Sequence, residues 1–179
     1  MSAFTVEDYY NLDNTTDGKI ELISGFFEMS PAPKIVHQEV SLELILELGM
    51  FFRNHPCKLL EAPCDVKLDD NIVQPDIFVV CDLNKLTDIR CEGIPDLVIE
   101  ILSTNTKRLD LCKKFKLYEE HELKEYWIVD PEEQWVTQWV LVNGKFQLFR
   151  TSEKEGTIDS HLFPDLQIPL ATIFKIPRI

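Results

Sequence analysis

The run Leu97-Val98-Ile99-Glu100-Ile101-Leu102 is apolar at consecutive positions, not alternate ones, and this constrains the fold more than any other stretch. A strand with one face in water alternates, whereas a strand apolar on both sides has to be covered on both. A second run, Ile72-Val73-Gln74-Pro75-Asp76-Ile77-Phe78-Val79-Val80, reads the same way. The chain therefore needs a central sheet with a layer on each face, and both runs carry an acid inside their apolar stretch. An unpaired buried charge is too costly to persist, so Asp76 and Glu100 have to be paired, metal-bound or protonated.

A lysine is aimed at the same place. From Thr106 to Glu120 the apolar residues Leu111, Phe115 and Tyr118 share one helical stripe, and Lys114 lies between them on that stripe. Lys107 shares the Lys114 face and Arg108 borders it, while Lys113 and Lys116 point toward solvent. Ser103-Thr104-Asn105-Thr106 supplies capping side chains for this helix.

Other elements follow from local pattern. Thr5-Val6-Glu7-Asp8 predicts a capping box opening a short helix. Lys19 to Ile23 and Phe26 to Met29 read as strands joined across Ser24-Gly25, and a long helix runs from Val36 to about Phe52 on Val40, Leu44, Leu48 and Phe51. Strands are expected near Lys58 to Leu68, Ile72 to Val80 and Glu125 to Val129. Asn143-Gly144 marks a hairpin carrying Trp135 and Trp139. The proline-bearing tail reads as irregular chain draped over the rest. Helix, strand, strand, strand, helix, strand is the order of an α/β sandwich with a mixed sheet. One domain over residues 1–179 is expected, with its core at about 36–130 and hairpins at 18–30 and 135–151.

Composition narrows the function. With 179 residues, 45% of them hydrophobic, the chain suits one sizeable core. The net charge of -13 argues against nonspecific adhesion to nucleic acid, though Lys107, Arg108, Lys113, Lys114 and Lys116 form a locally basic edge. Five scattered cysteines without a C-x-x-C pair suggest reduced thiols in a cytoplasmic protein, and no two of the four histidines have helical ligand spacing for zinc. No run approaches the ~18 apolar residues of a membrane span, and the N-terminus does not read as a signal peptide. Neither glycine-rich nucleotide cradle motif nor a G-x-S-x-G elbow is found.

Two acids with a nearby lysine suit metal-assisted phosphodiester hydrolysis. Mg²⁺ takes one or two carboxylates and keeps several waters, and the lysine can orient or deprotonate water or neutralise the attacked phosphate. Pro75-Asp76, followed after 23 residues by Glu100-Ile101-Leu102, resembles the PD-(D/E)XK signature of the restriction-endonuclease-like superfamily. Glu21-Leu22-Ile23-Ser24-Gly25, Pro95-Asp96-Leu97-Val98-Ile99-Glu100-Ile101-Leu102-Ser103 and Glu125-Tyr126-Trp127-Ile128-Val129-Asp130-Pro131 are similar to the Uma-type restriction endonuclease family, long filed as a domain of unknown function. The resemblance spans roughly residues 5 to 150. It implies a restriction-endonuclease-like mixed sheet flanked by helices, with N- and C-terminal hairpins appended. It implies DNA as substrate, Mg²⁺ or Mn²⁺ as cofactor, Asp76 and Glu100 as metal ligands, and a homodimer. The superfamily lysine normally stands two residues after the second acid, where this chain has Leu102, and the family's migrated lysine corresponds to Lys114. Glu21 corresponds to a further upstream acid.

Plainer readings stand beside these. Glu100 and Lys114 can form a structural salt bridge, Asp76 can bond backbone amides at a strand entrance, and Glu21 can face solvent. His37 reads as a helix-start residue, and the two tryptophans as core or subunit contacts. The alternative function is a non-enzymatic interaction module that keeps the nuclease fold.

Overall fold

The computed structural model describes residues 3–12, 18–103, 109–153 and 156–174. Helix α1 (Val6–Tyr10) opens on the expected capping box: the Asp8 amide donates to Thr5 Oγ1 at 3.2 Å, and the Thr5 amide donates to Asp8 Oδ2 at 2.7 Å. Strands β1 (Lys19–Ile23) and β2 (Phe26–Ser30) form a hairpin through Ser24 and Gly25, both with positive φ. A side chain at Gly25 would meet Ala3 Cβ at 2.5 Å, so this turn needs glycine for space as well as for φ. Helix α2 (Ile35–Phe52) buries Val40, Leu44, Leu48 and Phe52 at four-residue steps. Leu42 and Leu46 are half a turn out of phase and exposed.

The two long strands expected between Lys58 and Val80 are each broken at a proline. They become β3 (Lys58–Glu61), β4 (Asp65–Leu68), β5 (Asn71–Val73) and β6 (Ile77–Val80), parted by Pro63 and Pro75, which cannot donate to a ladder. There follow β7 (Arg90–Glu92), β8 (Leu97–Ile101), α3 (Leu109–Glu120), β9 (Glu125–Asp130), β10 (Trp135–Val142), β11 (Lys145–Glu153), β12 (Thr157–Asp159), β13 (Gln167–Pro169) and α4 (Leu170–Ile173). Thr104, Asn105, Thr106, Lys107 and Arg108, on which the capping and basic-face expectations rest, lie outside the described residues. The breaks let one stretch of chain serve two sheets. One has the order β2-β1-β5-β4-β7, the other β11-β10-β9-β8-β6-β3, and β12 pairs with β13. In the six-stranded sheet β8 and β9 are parallel and α3 is their crossover, whereas β6 runs antiparallel to β8.

The consecutive apolar reading of β6 and β8 follows from their coverage. Ile77, Val79, Leu97, Ile99 and Ile101 pack under α2, while Phe78, Val80 and Val98 pack on the opposite face with Leu117 and Tyr118 of α3. The tail is not a loose drape. Ile158, Phe163, Leu166, Ile168, Leu170 and Ile173 complete the core beneath α2. A buried carboxylate fixes it there: Glu125 accepts from Trp127 Nε1, Ser160 Oγ and the amides of His161 and Leu162. The cysteine expectation also needs correction, because Cys57 and Cys81 are joined by a disulfide. They flank the Lys58↔Val80 pair across β3 and β6, a proximity that spacing along the chain does not reveal. Cys64, Cys91 and Cys112 are free. Among the described residues no helix is long and apolar enough to cross a membrane.

Candidate active site

The break at Gln74-Pro75 leaves Asp76 where the chain passes from one sheet to the other. In the β6–β8 ladder Ile77 faces Ile99, so the next position outward sets Asp76 opposite Glu100. Both share the parity of Phe78 and Val98, the face toward α3. The two acids therefore converge because of strand register, although they are distant in sequence.

Helix α3 supplies the cation. Lys114 Nζ lies 2.9 Å from Glu100 Oε1 and 2.8 Å from Glu21 Oε1. One turn later the Tyr118 hydroxyl donates to the same Glu100 oxygen at 2.9 Å. Glu21, on β1, is buried and also accepts the Gln74 amide at 2.7 Å, so the solvent-facing alternative does not hold. Asp76 Oδ2 accepts the Ile101 amide at 2.8 Å. This is the strand-entrance bond of the plainer reading, yet it uses only one of the two oxygens.

Two further residues enter the site. Lys19 Nζ stands 3.3 Å from Asp76 Oδ1, 3.9 Å from Glu21 Oε1 and 4.0 Å from Glu100 Oε2. His37 Nε2 is 3.4 Å from Asp76 Oδ2, and its buried Nδ1 has no hydrogen-bond partner among the described residues. Sequence reasoning took His37 for a helix-start residue and passed over Lys19. Both had a legible signal: His37 is in helical phase with Val40 and Leu44, and Lys19 shares a strand face with Glu21. Of the expected basic edge, the two described outward lysines both have acid partners. Lys113 is ion-paired with Glu28, and Lys116 lies 3.5 Å from Glu120.

Burial and charge set the protonation states. Burial pushes Glu100 up, aided by Asp76 and Glu21, and Lys114 and Lys19 only partly offset this. Burial alone would lower Lys114, but Glu100, Glu21 and Asp76 outweigh it and hold the ammonium well above the ordinary lysine value. Asp76 is pushed up by burial and pulled further down by Lys19, His37 and Lys114, so it lies below the usual carboxylate range. Lys114 thus carries a positive charge held between Glu21 and Glu100.

These groups line a cleft of about 600 Å³ whose apolar wall includes Pro31, Pro33, Leu42, Ile45 and Pro63. Among the described residues no group of three or more histidine, cysteine, aspartate or glutamate side chains is arranged to hold a metal ion. The donor set nevertheless fits a hard cation. Among the described residues Asp76 Oδ1 and Glu100 Oε2 accept no backbone amide, and both face the Lys19 ammonium.

The sheet order and the acid pair across β6 and β8 define a restriction-endonuclease-like mixed α/β fold. A crystal structure described as a "putative nuclease belonging to DUF820", from Anabaena variabilis ATCC 29413, superposes with a TM-score of 0.80 at 19% identity, covering 96% of this chain and 98% of that one. Residues 6–171 match the Uma2 family, described as "Putative restriction endonuclease", and the chain belongs to that family. Comparison with curated proteins returned no match.

Proposed function

We propose that this protein is a Mg²⁺- or Mn²⁺-dependent DNA endonuclease, a single-domain hydrolase of phosphodiester bonds with Asp76, Glu100, Lys114 and Glu21 at its centre. The observation that carries this reading is the convergence at one cleft of Glu21 and Glu100 on the buried Lys114, with Asp76 opposite Glu100 and 3.3 Å from Lys19. Asp76 Oδ1 and Glu100 Oε2 would hold the cation, which when bound supplies an activated water and charge neutralisation at the attacked phosphate. The Ile101 amide and the Tyr118 hydroxyl fix the other oxygen of each acid and so orient the pair. Glu21 and Glu100 hold the Lys114 ammonium in place, where it stabilises negative charge developing on the phosphate.

The reading includes a cytoplasmic homodimer. Trp139 is already committed to an edge-on contact with Phe115 at 4.9 Å, so the proposed subunit contact shifts to the sheet edge at β11, where Leu148 and Phe149 are exposed. The net charge of -13 and the acid partners of Lys113 and Lys116 favour the second reading, a non-enzymatic interaction module. Incubating purified protein with supercoiled, linear and single-stranded DNA in Mg²⁺ or Mn²⁺ separates the two. The nuclease reading expects metal-dependent cleavage that Lys114→Met and Asp76→Asn abolish. Absence of cleavage of every DNA form would favour the interaction module.

A further inference from the structure

We propose that Lys19 is the protein's own occupant of the cation position, an ammonium that neutralises the acids until a divalent ion displaces it into the cleft. The inference rests on the metal-dependent reading above and assigns a role to a residue outside its catalytic set.

The oxygens are divided between two lysines in a telling way. Glu100 Oε1 is taken by Lys114 and Tyr118, and Asp76 Oδ2 by the Ile101 amide with His37 beside it. Their other oxygens, Glu100 Oε2 and Asp76 Oδ1, face Lys19. These are the atoms with capacity left for a cation, and one positive charge already stands near both.

Lys19 is also held more loosely than Lys114. Lys114 makes two contacts shorter than 3 Å and its side chain is 8% exposed. Among the described residues Lys19 has one ion-pair contact at 3.3 Å and two near 4 Å, and its side chain is 20% exposed. It lies at the start of β1 and lines the cleft, so rotation about its flexible four-carbon stem carries the ammonium outward without moving the strand. A divalent ion between the same oxygens would repel the ammonium and remove the reason for it to stay. Without Lys19 or a metal, Glu21, Glu100 and Asp76 would be left with Lys114 and, beside Asp76, His37.

Calorimetric titration of MnCl₂ into the full chain, as wild type, Lys19→Met and Lys19→Gln, tests this alongside melting temperatures with and without Mn²⁺. Asp76→Asn serves as the control for heat from adventitious sites. Both Lys19 variants should bind Mn²⁺ at least about tenfold more tightly than wild type. They should melt lower than wild type without metal, and gain more on adding it. Should Lys19→Met fail to fold, Lys19→Gln, which keeps a donor, carries the comparison. Equal or weaker Mn²⁺ affinity in the variants, with wild type binding, would overturn the role of Lys19 and leave the metal site standing. Binding in none of the proteins would overturn the metal-dependent reading and this inference with it.

Discussion

Replacing Lys114 by Met keeps most of the apolar stem and removes the charge that Glu21 and Glu100 share. At contacts of 2.8 and 2.9 Å each pair has a gross attraction of about 6 kcal/mol at an effective dielectric constant of ~20. Much of this only offsets desolvation, and removing one partner of a buried pair costs about 3–5 kcal/mol in practice. Lys19, at 3.9 and 4.0 Å, is too loosely placed to take over both acids. Against a total stability of about 5–15 kcal/mol, the loss leaves about 0–12 kcal/mol at 25 °C and lowers the melting temperature by about 6–20 °C. The deficit also depends on pH. Glu100 has a raised folded pKa, and without Lys114 it rises further. Its protonated form is favoured by folding, so that contribution is fully present below the unfolded glutamate pKa and is lost as pH rises through the folded value. The variant should therefore come closest to wild type in acid. Thermal melts of Lys114→Met, Glu100→Gln and the double variant form the assay, and the double should recover at least about 1 kcal/mol relative to additivity. Additive losses, or a Lys114→Met cost under about 1 kcal/mol, would refute the view of these residues as one charge-balanced unit.

Asp76 has the opposite sign: its folded pKa is depressed, so its contribution is present above the unfolded aspartate pKa and lost as pH falls through the folded value. Acid titration of wild type against Asp76→Asn should show wild type losing its advantage on that side. Glu125→Gln replaces an acceptor of four hydrogen bonds by a group that presents a donor, at a cost of about 2–4 kcal/mol, with hydrogen exchange rising first around residues 160–162. Reducing Cys57–Cys81, which closes a sequence separation of 24, should lower stability by about 3 kcal/mol, measured by denaturant melts with and without reductant. Lys113→Met and Lys116→Met should leave cleavage and the salt dependence of DNA binding almost unchanged, because Glu28 and Glu120 already balance those charges.

Much of the site was legible because periodicity fixes direction. Lys114 could be placed by helical phase, and the apolar runs holding Asp76 and Glu100 implied a doubly covered sheet. Their juxtaposition across β6 and β8 depends on ladder register, which no local pattern encodes. The same reason hid Cys57 opposite Cys81. His37 and Lys19 escaped for a different cause: a lone polar residue at a helix or strand end is usually solvated, and here only its phase relative to buried neighbours distinguishes it. The tail was misread because its prolines outweighed sparse apolar residues whose partners lie on α2. The acid partner of Lys113 was missed because charge counting along one helix omits acids contributed by another element, here Glu28 on β2.

The most direct test of the central claim is anomalous diffraction from crystals soaked in Mn²⁺. The account predicts a peak within about 2–2.3 Å of Asp76 Oδ1 and Glu100 Oε2, with the Lys19 ammonium moved away from both. Saturating Mn²⁺ that leaves Lys19 seated between those acids, with no peak beside them, would contradict it.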